Sequence, residues 1–125
     1  ENIMGLDMYL QAEHKQTGEV RLVHSWRKAN QIRQWFVTRF DQDDDAQLKI
    51  TLTGDDIDAL ISDIEQVLGD KQLAPNLLPT SSGFFFGSTD YDTYYFGELK
   101  DTLQYLKNDF EYDFDNEQLF YTEWW

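Results

Sequence analysis

The sequence contains no cysteine, which excludes disulfides, thiolate metal sites and a cysteine nucleophile. Its two histidines, His14 and His24, come with no nucleophile-elbow motif, so nothing here supports Ser/His/Asp catalysis. No apolar run approaches the ~20 residues that a membrane span needs. No basic-plus-apolar signal segment opens the sequence, and a cytosolic protein is expected. Prolines number two, Pro75 and Pro79, and both fall in one irregular connection over 70–82. Basic residues are few: 10 Lys/Arg stand against 24 Asp/Glu.

What is present is an aromatic, acidic chain. At 125 residues it reads as one domain over 1–125, long enough to bury roughly two thirds of its unfolded surface. Apolar residues make up 41% and aromatics 16%, enough for a core despite the charge. Residues 1–40 hold six Lys/Arg and four Asp/Glu, a net of +2; residues 41–125 hold four Lys and twenty Asp/Glu, a net of −16. An acidic surface repels phosphate backbones, so direct nucleic-acid binding is disfavoured, while a basic protein surface would be attracted.

Periodicity predicts strands over 4–10, 19–24, 47–52 and 118–124. The first two could form a hairpin across 11–18, and the last is expected to close the sheet with both terminal Trp residues shielded; a place beside the first strand is one option, and strand order is not fixed by the pattern. Ser25 reads as the N-cap of a helix over 26–39 whose buried stripe is Ala29, Ile32, Trp35, Phe36 and Phe40, with Arg27, Lys28 and Arg33 on charged faces. Arg27 and Lys28 would then sit unfavourably against the helix dipole, a broken local rule that hints at a partner or ligand. The run Asp41-Gln42-Asp43-Asp44-Asp45 lacks the pattern of a calcium loop and reads as solvated. Thr53 and Asp56 resemble a capping box ahead of an amphipathic helix that Gly69 stops as its C′ residue. The predicted fold is α+β: a mostly antiparallel sheet of about four strands with about three helices packed on it.

The segment Leu77-Leu78-Pro79-Thr80-Ser81-Ser82-Gly83-Phe84-Phe85-Phe86-Gly87-Ser88-Thr89-Asp90-Tyr91-Asp92 stands apart. Three consecutive Phe residues suit a path through or along the core, which makes its polar ends candidate site walls. Ser88, Thr89 or Asp90 can cap the next helix, whose stripe is Phe96, Leu99, Leu103, Leu106 and Phe110. Asp7, Trp26, Arg27, Lys28, Asn30, Ser88, Thr89, Asp90 and Asp92 form a candidate ligand site if the first helix packs against this segment. There Arg27 and Lys28 would hold a phosphate or carboxylate, Trp26 would stack on a base, and Asp7, Asp90 and Asp92 would take Mg²⁺ or Ca²⁺.

Three blocks of the sequence carry a resemblance: Met4-Gly5-Leu6-Asp7-Met8-Tyr9-Leu10, then Trp26-Arg27-Lys28-Ala29-Asn30-Gln31-Ile32 with Trp35-Phe36-Val37, and the segment from Leu77 to Asp92. Together they resemble a family of small proteins common in bacteriophages and prophages, some of which bear a phosphoglycerate-kinase label. The label finds no support in these residues: there is no Gly-rich phosphate loop with Lys, and the chain is short for a two-domain kinase. The chain departs from the family pattern at Arg33, where His is frequent, and at Thr122-Glu123-Trp124-Trp125. The resemblance implies a phage or prophage setting in a bacterial cytoplasm and supplies no reaction.

Three readings follow. The leading one is a non-enzymatic acidic interaction protein acting on a host or defence component. The alternative is a protein binding a small phosphate- or nucleotide-like ligand, or a divalent metal, where the Trp26–Asn30 block meets the Ser88–Asp92 turn. Hydrolysis by paired carboxylates ranks third, since any pair is weak evidence among 24 Asp/Glu. No motif requires a cofactor.

Overall fold

The computed structural model describes residues 5–83 and 86–125. The elements are β1 (Asp7–His14), β2 (Val20–Arg27), α1 (Asn30–Phe40), β3 (Lys49–Leu52), α2 (Gly54–Gly69), a 3₁₀ turn (Lys71–Leu73), α3 (Ala74–Leu77), α4 (Thr93–Asn108) and β4 (Glu117–Trp124). The strands form one antiparallel sheet in the order β2-β1-β4-β3. The fold is α+β, and the first and last strands are central neighbours.

Alternation along the strands sends Met8 and Leu10 of β1, Ile50 and Leu52 of β3, and Leu119 and Tyr121 of β4 to one face. There they join Ile32 and Phe36 of α1, Ile57, Leu60 and Ile64 of α2, and Leu99 and Leu106 of α4 in one core. The helices therefore cover one face of the sheet. The Thr53–Asp56 capping box forms as expected, with each side chain reaching the other's backbone N–H.

Several boundaries differ from the sequence expectation. Ser25 does not cap a helix; β2 continues through Trp26 and Arg27, which lie opposite Met8 and Asp7 of β1. Cross-strand pairing outweighs local helix preference there, and Lys28 then turns the chain with φ of 58° before α1 starts at Asn30. Arg27 and Lys28 thus lie ahead of α1 and not in its first turn. Arg33 is not on a charged face but fully buried. β1 also runs on to His14, four residues past the predicted end, because Ala12 continues the buried alternation.

Gly69 is the last residue of α2, not a left-handed stop, and extended Asp70 follows it. The connection over 70–82 holds the 3₁₀ turn and α3, where Pro75 takes a first-turn position. β4 does lie beside β1, but Trp124 points outward and is 66% exposed. Of the Phe run, Phe86 is buried; Phe84 and Phe85 lie outside the described residues, as does Met4.

Candidate functional site

The junction between β2 and α1 is built around two close approaches. Lys28 donates its N–H to the Leu6 carbonyl at 2.7 Å. Its side chain runs past Gly87, where a Cβ would stand 3.2 Å from the Lys28 Cβ, and past Gly5, where a Cβ would fall 2.6 Å from Arg27 Nη2. Gly87 itself has φ of 82°, a conformation that glycine adopts without strain. Both glycines make room for the two cations.

Asn30, buried at the start of α1, pins the facing loop. Its Nδ2 donates to the Phe86 and Ser88 carbonyls at 2.8 and 2.9 Å, and its Oδ1 accepts from Ser81 N–H at 2.9 Å. Thr80 Oγ1 donates to the Thr89 carbonyl, and the Asp90 N–H reaches Ser88 Oγ. Asp92, and not Ser88, Thr89 or Asp90, caps α4 by accepting from Tyr95 N–H at 3.1 Å.

Between these walls lies a cleft of about 460 Å³. Its lining includes the cations Arg27 and Lys28, Ser88, and the carboxylates of Asp90, Asp92, Glu98 and Asp101. Tyr94, 87% exposed, forms a lip. Burial, with the Asp101 charge added, raises the Glu98 carboxyl above its ordinary pKa. The lining offers a ligand both cationic and anionic groups.

The structure thus brings Arg27, Lys28, Ser88, Asp90 and Asp92 round one cleft, and leaves four predicted residues off its wall. Trp26 is buried and donates Nε1–H to Thr102 Oγ1 at 2.9 Å, so it offers no face to a base. Asn30 and Thr89 are spent on the loop. Asp7 pairs with Arg27 at 2.6 Å. The predicted metal set of Asp7, Asp90 and Asp92 is not assembled: among the described residues no group of three His, Cys, Asp or Glu is placed to hold an ion. Tyr94, Glu98 and Asp101 escaped the sequence reading, although their spacing puts them on one side of α4.

A second surface is the sheet face that the helices leave open. Strand register sets its rows: Arg27–Asp7–Trp124, Ser25–Tyr9–Thr122–Lys49, Leu22–Gln11–Phe120–Thr51 and Val20–Glu13–Gln118. Val20, Leu22 and Trp124 are 51%, 59% and 66% exposed, so this face presents large apolar groups to solvent. Lys49 Nζ lies 5.2 Å from the Phe120 ring centroid. Two acids and two bases make the face neutral in a chain of net −14.

Among the described residues no helix is long and apolar enough to cross a membrane. Comparison with family models, curated proteins and solved structures returned no match to this chain.

Proposed function

We propose that this chain is a bacteriophage- or prophage-encoded interaction protein that acts in the bacterial cytoplasm on a host or defence component, docking through the open face of its sheet. The observation that carries the reading is the neutral, aromatic-bearing face within a strongly acidic chain. Interface centres are depleted in charge and enriched in aromatics, with polar rims. The four strands hold 28 residues, a footprint of about 440 Å² from strand spacing and rise, against about 800 Å² per partner in a standard interface. Contact then extends onto the acidic surroundings, which favours a partner whose own rim is basic and makes association fall with salt.

A tagged pull-down from bacterial lysate with mass spectrometry, at low and moderate salt, tests this beside the double variant Leu22→Glu/Trp124→Ser. Both side chains are exposed, so the fold survives their replacement. One saturable partner, weakened by salt and lost in the variant, is the expected result. A partner that the variant retains, or no partner above background, overturns the assignment.

The cleft favours a second reading, a small-ligand protein holding an anionic group on Arg27 and Lys28. The carboxylates that share the cleft lining oppose a polyphosphate, so a ligand with one anionic end fits better than a nucleotide. A thermal-shift screen of nucleotides, simple anions and divalent ions decides: a shift abolished by Lys28→Ala supports it, and none across the screen removes it.

A further inference from the structure

Next to the cleft, and sharing Asp92, Thr93 and Gly97 with its lining, a second groove of about 720 Å³ opens between α2, the 3₁₀ turn and α4. Its apolar surface comes from Leu68, Tyr91 and Phe96, and its charged groups are Lys71, Lys100 and Asp92. The Asp92 carboxylate is engaged as the α4 cap. Lys71 Nζ hangs 4.8 Å from the Phe96 ring centroid. At Gly97 the wall is open: apart from its chain neighbours and the backbone of its own helix, nothing stands within 4 Å of where a Cβ would be.

The placement of the cations is the informative part. Residues 41–125 contain four lysines against twenty acids. Lys107 pairs with Glu65 at 2.8 Å, and Lys49 lies over Phe120 on the open sheet face. The remaining two, Lys71 and Lys100, both line this groove, and neither forms an ion pair among the described residues. In so acidic a surface, two unmatched ammonium groups beside an aromatic floor are complementary to one kind of molecule: an apolar body carrying a negative end. The volume lies within the 300–1,000 Å³ usual for small-molecule sites.

We propose that this groove is a binding site for a small aromatic carboxylate, with the ring system against Phe96, Tyr91 and Leu68 and the carboxylate between Lys71 and Lys100. A ring beside Phe96 and Tyr91 gains offset or edge contacts. The two lysines act as point charges on flexible stems and close on the anion from both sides. This assignment does not rest on the sheet-face interface, and the residues that carry it, Lys71, Lys100, Phe96, Tyr91 and Leu68, line this groove and not the cleft.

The test uses the full chain with 1-naphthoate as probe and 1-naphthalenemethanol as its uncharged counterpart, followed by titration calorimetry and by perturbation of amide NMR signals. Saturable naphthoate binding is expected, with signals moving at Leu68, Phe96 and Lys100. Each of Lys71→Gln and Lys100→Gln is expected to weaken it about fivefold, as for an exposed charge contact, while Lys49→Gln leaves it unchanged. Gly97→Leu fills the open wall while improving helix propensity, so it blocks binding in a folded protein; because Gly97 also lines the cleft, Lys28→Ala, which alters the cleft alone, is expected to bind as the parent does. The proposal is overturned if naphthoate fails to saturate, if the alcohol binds equally well, or if Gly97→Leu binds as the parent does. It is also overturned, in favour of a polypeptide partner, if an acidic aromatic peptide binds where naphthoate does not.

Discussion

Arg33 and Glu123, 90 positions apart, meet with neither side chain exposed: Arg33 Nε lies 2.9 Å from Glu123 Oε1. Around them the polar groups are matched. Glu123 also accepts from the Tyr121 hydroxyl, the Leu48 N–H and Trp125 Nε1–H. Arg33 further donates to the Asp44 carboxylate at 2.6 Å and to the Asp44 and Ala46 carbonyls. Its guanidinium lies over Phe86, 4.7 Å from the ring centroid. One side chain thereby ties α1 to the acidic loop, the Phe-rich segment and β4.

Removing one member of such a pair strands the other charge in the core. Arg33→Ala is expected to cost about 3–5 kcal/mol in urea denaturation. Because replacing both partners with apolar groups removes the stranded charge, Arg33→Met/Glu123→Leu should recover most of the loss. A single substitution costing under about 1 kcal/mol would contradict this account.

Glu98 carries the opposite lesson. Burial raises its carboxyl above the ordinary value, with Asp101 adding to the effect, so the folded state holds this proton more tightly than the unfolded chain does. Stability is therefore lost as pH rises from the unfolded value through the folded one. Glu98→Gln should raise the melting temperature at pH 7, and the gain should vanish at pH values below the ordinary glutamate range. A gain independent of pH would contradict the assignment.

Glu117 behaves in reverse. The bond to Arg21, 2.8 Å from Nε to Oε2, and a second from Asp113 N–H hold its carboxyl down to about 2. Its contribution is present above the ordinary glutamate pKa and disappears as pH falls toward 2. Glu117→Gln should cost about 1 kcal/mol at pH 7, the scale of a partly exposed pair, and nothing once the carboxylate is protonated. Denaturation at both pH values checks this.

Lys28 and Gly87 make a paired prediction. Lys28 adopts a left-handed backbone at φ of 58°, a strain of about 1–2 kcal/mol for a residue with a Cβ. Lys28→Gly should therefore stabilise by about 1 kcal/mol while removing one of the two cations that line the cleft. Gly87→Ala should destabilise by about 1–2 kcal/mol, since it adds a Cβ at φ of 82°. Chemical denaturation of the two variants separates the effects.

Much of this architecture was legible from alternation and capping. The period-2 patterns of β1 and β3 and the Thr53–Asp56 box of α2 depend on neighbours in sequence; β3 and the box fall within the expected segments, while β1 overlaps its expected strand over 7–10 and continues to His14. Residues 25–29 were misread because the forces there are not local: Trp26 and Arg27 are held extended by Met8 and Asp7 across the sheet. Arg33 looked like surface because its three-part cage comes from Asp44, Phe86 and Glu123, which no spacing connects. In the cleft, the two blocks were visible as walls, but which of their polar groups face the gap depended on details such as the Asn30 amide turning inward.

Central placement of the first and last strands has a kinetic consequence. The β1–β2 hairpin can pair soon after its residues are made, but among the described residues β3 has no neighbour in the sheet except β4. Contacts such as Gln11 with Thr122, 111 positions apart, belong to the slow, non-local class. During synthesis α1 and α2 emerge before the strand that completes the surface they cover. Until β4 inserts between β1 and β3, both of those strands keep an unpaired edge, and the growing chain is at its most exposed to aggregation and proteolysis.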